Sequence, residues 1–141
     1  MRKFILALFF VSLCLIPLQV SAADFDGSAP LLCSVTKAFE CSEDEGCTPA
    51  SAMDLNLPRF FRIDAPQKKV TAVKEGGRTT VIQNISEVDG KLILQGAEKA
   101  VENVRGGIGW TAIIMQESGN LILSISGDDA GFIVFGACLK Q

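Results

Sequence analysis

Cysteine is the residue type in this chain best equipped for chemistry, and five occur: Cys14, Cys33, Cys41, Cys47 and Cys138. Cys41 and Cys47 bracket the acidic run CSEDEGC, a pattern open to three readings: a metal site, a redox pair or a staple. Structural zinc sites space their cysteines C-x2–4-C and often add histidine. Here five residues lie between Cys41 and Cys47, seven between Cys33 and Cys41, and the chain has no histidine. A redox-active pair requires a close C-x-x-C at a helix start, and none is present. Glu43, Asp44 and Glu45 offer oxygens to calcium, but they lack the alternating ligand spacing of a calcium loop, and Asp128-Asp129 does no better. A solvated acidic turn closed by a disulfide is the expected outcome.

The absence of histidine removes the usual general base as well as the commonest metal ligand. Serines of the chain therefore have no histidine partner. Paired carboxylates on a β-scaffold could hydrolyse glycosides, yet the acidic residues fall mostly at turns, where Asp89 and Asp128 serve turn geometry. No catalytic residue, cofactor or metal ligand is assigned. The remaining candidate constellation is aromatic: Phe60, Phe61 and Trp110, flanked by Arg59 and Arg62, could line an apolar pocket with cations for an anionic ligand. Strand alternation sends Phe60 and Phe61 to opposite faces, so one belongs inside and the other outside. Core filling is the plainer role for these rings, because a small barrel is often just wide enough to pack its own side chains. Asn84-Ile85-Ser86 has the form of a glycosylation acceptor.

These residues are positioned by a chain whose ends define its compartment. MRKFILALFFVSLCLIPLQVSAADF joins Arg2 and Lys3 to an apolar run from Phe4 to about Leu18, then to small residues ending at Ala22 or Ala23. That pattern predicts a secretory signal peptide over residues 1–22: the run is short for a bilayer span and a cleavage site follows it. Cys14 departs with it. Cleavage after Ala22 of the 141-residue chain leaves a single domain, 23–141, of 119 residues, enough to bury a core. Without Arg2 and Lys3 the 13 basic residues fall to 11 against 16 acidic, a net charge of −5. An acidic chain with no basic block argues against nucleic acid and anionic membrane surfaces as partners. Nothing further is long and apolar enough for stable membrane insertion.

Export to an oxidising space and an even mature count predict two disulfides. Cys41 with Cys47 closes a tight loop through Gly46. Cys33 with Cys138 then ties the first strand to the last. Cys33 with Cys41 is a poor pairing, because eight residues along one extended strand place them about 26 Å apart.

Turn signals recur at short intervals, and the segments between them are rich in Val, Ile, Phe and Thr. Eight strands are predicted: LLCSVTKAFEC, LPRFFRID, KKVTAV, RTTVIQNISEV, KLILQG, WTAIIMQE, NLILSIS and GFIVFGACLK. Period two places Cys33, Val35, Phe39 and Cys41 on one face of the first. Asp89-Gly90 is the strongest turn signal, since both residues tolerate the positive φ of a tight hairpin. Hairpins are also expected at Gly119-Asn120 and Asp129-Ala130. TPASAMDLNL reads as an ordered loop or one helical turn, and Ala97–Val104 as a short helix. The last strand is apolar on both faces, which suits a strand covered on both sides, with the N-terminal segment as the cover. The fold class is all-β: about eight antiparallel strands in a meander, a closed barrel or rolled sheet, with at most one or two short helices.

FDGSAPLLC, the cysteine pair after it, PRFFRID, DGKLILQG and GFIVFGAC together resemble a family of small exported bacterial proteins of unknown function. The likeness runs from Phe25 to Cys138. It implies export and a β-rich domain, and it brings no activity or ligand. Gly109-Trp110 lacks the lipocalin spacing, in which glycine stands two places before tryptophan. The expected function is a non-catalytic binding module of the cell envelope, periplasmic or secreted, monomeric, with a protein or small-molecule ligand. A secreted inhibitor of a hydrolase is the alternative, and an enzyme the third reading.

Overall fold

Short apolar runs cut by turn residues at close intervals favour strands as the way to bury a core, and ten form among the described residues. The structure is a computed structural model and describes residues 25–74, 76–99 and 106–141. The strands are β1 (Leu31–Ser42), β2 (Gly46–Ala50), β3 (Phe60–Asp64), β4 (Lys69–Ala72), β5 (Thr79–Val81), β6 (Asn84–Val88), β7 (Lys91–Glu98), β8 (Ile108–Met115), β9 (Asn120–Ser126) and β10 (Gly131–Lys140). Every pairing is antiparallel. The order across the sheet is β5-β4-β3-β1-β10-β9-β8-β7-β6, with β2 beside the distal half of β1. Among the described residues there is no helix, and so none long and apolar enough to cross a membrane.

Two meanders make up this sheet. β1, β3, β4 and β5 form one, and β6 to β10 form the other. They meet along the β1–β10 ladder, from Leu31 opposite Lys140 to Cys41 opposite Gly131. They meet again where β5 passes into β6. There the Ile82 amide donates to the Lys68 carbonyl (2.9 Å) and the Gln83 amide donates to the Gln95 carbonyl (2.8 Å), while the Ile82 side chain is wholly buried. The ladder is not continuous around the circumference, so the molecule is a rolled sheet and not a closed barrel. Its core holds Leu31, Ile63, Ile82, Leu92, Leu94, Ile114 and Leu121, with both Cys33 and Cys138.

Both predicted disulfides are formed. Cys33 faces Cys138 directly on β1–β10, and Cys41 faces Cys47 directly on β1–β2, each with Cα atoms 4.0 Å apart. Such close opposition belongs to the non-hydrogen-bonded sites of an antiparallel ladder. Glu43, Asp44 and Glu45 turn outward into solvent, and Gly46 takes φ 71°.

Five sequence-based expectations need correction. Ten strands replace eight: β2 was not foreseen, and RTTVIQNISEV is two strands divided at the crossing. The first strand does not keep Cys33, Val35, Phe39 and Cys41 on one face. A bulge between Val35 and Lys37 shifts its register, so Leu31 and Cys33 face the core before it and Ala38 after it. The expected helix over Ala97–Val104 begins instead as strand, since Ala97 and Glu98 belong to β7; Lys99 continues neither strand nor helix, and residues 100–104 lie outside the described residues, as does the expected signal peptide. Among the described residues, the N-terminal segment does not cover the outer face of β10. Phe135 is 39% exposed there and meets Phe39 edge-on, with ring centroids 6.3 Å apart. Finally, TPASAMDLNL divides: Thr48–Ala50 completes β2. The single turn that follows carries the Leu55 amide to the Ser51 carbonyl (3.2 Å), with Ser51 Oγ donating to Asp54 Oδ2 (2.6 Å).

The N-terminal segment plugs one end of the roll. The Phe25 amide donates to the Gln116 carbonyl, and its ring lies against Gly119, where an added Cβ would come within 2.7 Å of it. Asp26 Oδ1 accepts from both the hydroxyl and the amide of Ser28 (2.6 and 2.9 Å), which hold its carboxyl below the ordinary aspartate range. Asp89 (φ 46°) and Gly90 (φ 72°) form the tight hairpin at this same end. A Cβ at Gly90 would meet nothing within 4 Å, so only the backbone opposes a side chain. Gly90→Ala is expected to lower stability by about 1 kcal/mol in urea unfolding. An unchanged midpoint would contradict the left-handed turn.

Candidate functional site

Among the described residues, the end opposite the plug is open. A cavity of about 310 Å³ enters the roll there, at the small end of the range for ligand pockets. Inward-facing residues of β3, β4, β8 and β9 make its walls, among them Phe61, Ile63, Ala72, Trp110 and Ile125. The turn anchored by Ser51 and Asp54 brings Asn56, Leu57 and Pro58 to its rim, and Lys74, Arg78 and Glu98 complete the mouth. Arg78 Nε lies 3.4 Å from Glu98 Oε2, with Arg78 about half exposed. Solvent reaches this pair, so it contributes at most about 1 kcal/mol to stability, but it sets opposite charges side by side at the opening.

Two polar atoms distinguish this cavity from ordinary core. Trp110 Nε1 and Thr80 Oγ1 are both buried, and neither has a hydrogen-bond partner among the described residues. Both residues line the cavity. Burial of a donor without a partner costs about 1–3 kcal/mol, so two in one cavity is an arrangement that requires a reason. Trp110 is 8% exposed and takes its place because Gly96 faces it across the β7–β8 ladder. A Cβ at Gly96 would stand 2.3 Å from Trp110 Cζ2 and 2.6 Å from the Val81 carbonyl oxygen.

Of the residues singled out by sequence, the structure brings Phe61 and Trp110 together in this cavity. Phe60 points the other way and is half exposed, as strand alternation required. Arg62 shares that outer face, in a shallow groove with Lys69 and Thr71. Arg59 does not line the cavity; its carbonyl accepts from the Val35 amide (2.9 Å). The four cysteines lie in the two staples and not at the site. Thr80, Arg78, Glu98, Lys74 and Gly96 escaped sequence reasoning. Alternation along Arg78-Thr79-Thr80 could have placed Thr80 inward with Arg78, and Glu98 was hidden by the mistaken helix.

Ser34 and Lys37 have a Ser-x-x-Lys spacing, which on a helix brings hydroxyl and amine together for nucleophilic chemistry. On a strand the same spacing holds their Cα atoms about 10 Å apart, and Ser34 Oγ donates to the Ala137 carbonyl instead. Among the described residues no three His, Cys, Asp or Glu side chains converge as a metal site. Comparison with known proteins finds no matching family model, no matching curated protein and no matching solved structure.

Proposed function

We propose that this domain is a non-catalytic binding module that takes a small molecule into the open end of the roll. The observation that carries this reading is the 310 Å³ cavity with apolar walls and two unpartnered donors. Folding gains nothing from leaving such a space and such donors unfilled, whereas a ligand uses both. The Cys33–Cys138 bridge joins β1 to β10, on which the wall strands β3 and β9 pair, so these walls are set before binding, which reduces the ordering that a ligand must drive. Disulfides are the mark of an oxidising, extracytoplasmic setting. With the signal-like N-terminus, they support a protein working in the cell envelope or secreted beyond it.

The chain has one tryptophan and no tyrosine, so its intrinsic emission reports on the cavity wall alone. The neutral dye N-phenyl-1-naphthylamine is expected to bind saturably, one to one, with energy transfer from Trp110. Ala112→Leu, which extends a side chain from the cavity wall, should weaken it at least about tenfold, the loss of some 1.4 kcal/mol of contact. Dye binding that is unsaturable, or indifferent to Ala112→Leu, would sink the reading.

A second reading, a secreted inhibitor of a hydrolase, draws on the β1–β2 hairpin. β2 is exposed over nearly its whole length and is stapled to β1 by Cys41–Cys47, which presents a preorganised loop to a protein groove. Inhibition of a hydrolase that survives saturation of the cavity with dye would favour it over the first.

A further inference from the structure

We infer that the cavity selects a neutral, largely apolar molecule carrying a hydrogen-bond acceptor, a carbonyl or ether oxygen, which lodges against Trp110 and Thr80. This rests on the small-ligand reading above and specifies its chemistry. An indole N–H can only donate, and a threonine hydroxyl can rotate to donate or accept. An acceptor group is the one chemistry that satisfies the indole and that the hydroxyl can also meet, set between hydrocarbon walls. A ligand group that only donates leaves Trp110 as it was.

Charge argues for neutrality. A carboxylate carried to these donors would need a cation to offset its desolvation. Arg78 stands two residues before Thr80 on the same strand face, but Glu98 already pairs with it at 3.4 Å. Lys74, the other described cation of the lining, is exposed at the mouth. The deep walls are Phe61, Ile63, Trp110 and Ile125, none of which carries charge. An acidic ligand gains little here that water does not already provide. Size narrows the class further, because a cavity of about 310 Å³ admits two or three rings or a short chain and not a lipid tail with its headgroup.

Three probes of nearly equal shape separate the possibilities: acetophenone, which carries a carbonyl; α-methylstyrene, which replaces that oxygen by a methylene; and benzoate, which adds charge. Trp110 gives a single indole N–H resonance, and acetophenone should move it downfield where α-methylstyrene does not. Thr80→Val keeps the shape and suits a strand, so it should fold. It should weaken acetophenone about three- to tenfold, the worth of one hydrogen bond, and leave α-methylstyrene within about twofold. Thr80→Ser should restore most of the loss. Equal losses for the ketone and the hydrocarbon in Thr80→Val would overturn the inference and mean that water already satisfies both donors. Tighter binding of benzoate than of acetophenone would overturn it too, as would failure of acetophenone where the neutral dye binds. If the dye and all three probes fail, the small-ligand reading itself falls.

Discussion

Replacing Cys33 and Cys138 together by alanine is expected to lower the melting temperature by roughly 10–20 °C, while the same replacement of Cys41 and Cys47 leaves it nearly unchanged. The first bridge spans 105 residues, for which chain entropy predicts about 4.7 kcal/mol. It is also buried, Cys33 completely and Cys138 to 3% exposure, so its loss removes packing from the core. Its position compounds both effects: it pins the β1–β10 ladder, one of the two places where the halves of the sheet are joined. The second bridge spans six residues, and the same relation allows it about 2 kcal/mol. That stabilisation is local, because β2 rests on β1 alone and is exposed along nearly its whole length. Without the staple β2 frays while the roll stays folded. Thermal melts of both double variants decide the order, and limited proteolysis should cut the second within Ser42–Ala50. Equal melting temperatures, or a larger loss from the exposed pair, would refute this division of roles.

The parts of this fold that were legible before its structure are those fixed by local chemistry. Asp89-Gly90 announced a hairpin because few other pairs accept two positive φ angles. The staples followed from compartment, parity and the reach of an extended strand. What stayed hidden depends on partners distant in sequence. The bulge at Thr36 reverses the inward face of β1, and nothing in LLCSVTKAFEC marks it. Its counterpart is Gly136, opposite Val35 on β10, where a Cβ would stand 2.3 Å from the Ser34 carbonyl oxygen. A glycine inside an apolar strand was the available signal. RTTVIQNISEV read as one strand because its period never breaks; the division comes from a change of neighbour, from β4 to β7, which periodicity does not record. The site was half legible for the same reason. Trp110 and Phe61 are the residues that any aromatic count selects, while Thr80 matters only through what does not face it.

Gly96→Ala is expected to destabilise the domain by about 3 kcal/mol, the upper end of overpacking costs, although the same change usually stabilises by reducing the freedom of the unfolded chain. The added methyl would stand 2.3 Å from the Trp110 ring and 2.6 Å from the Val81 carbonyl oxygen. The ring could swing aside, but the carbonyl belongs to the backbone where β5 approaches β7, just before the two meanders meet at Ile82–Gln83. Both must yield, which couples the cavity wall to closure of the sheet. Gly109 supplies the control. It lies on the neighbouring β8, and a Cβ there would meet nothing within 4 Å. Gly109→Ala should therefore follow the usual rule and raise stability by a few tenths of a kcal/mol up to about 1 kcal/mol. Urea unfolding of the two variants should move in opposite directions. Only Gly96→Ala should also shift the emission of Trp110 to the red, as the indole loses its seat over β7, and weaken the neutral dye. A Gly96→Ala variant as stable as the parent, with Trp110 emission unmoved, would mean that the ring does not lie across Gly96. The donor that defines the ligand's polar end would then be misplaced.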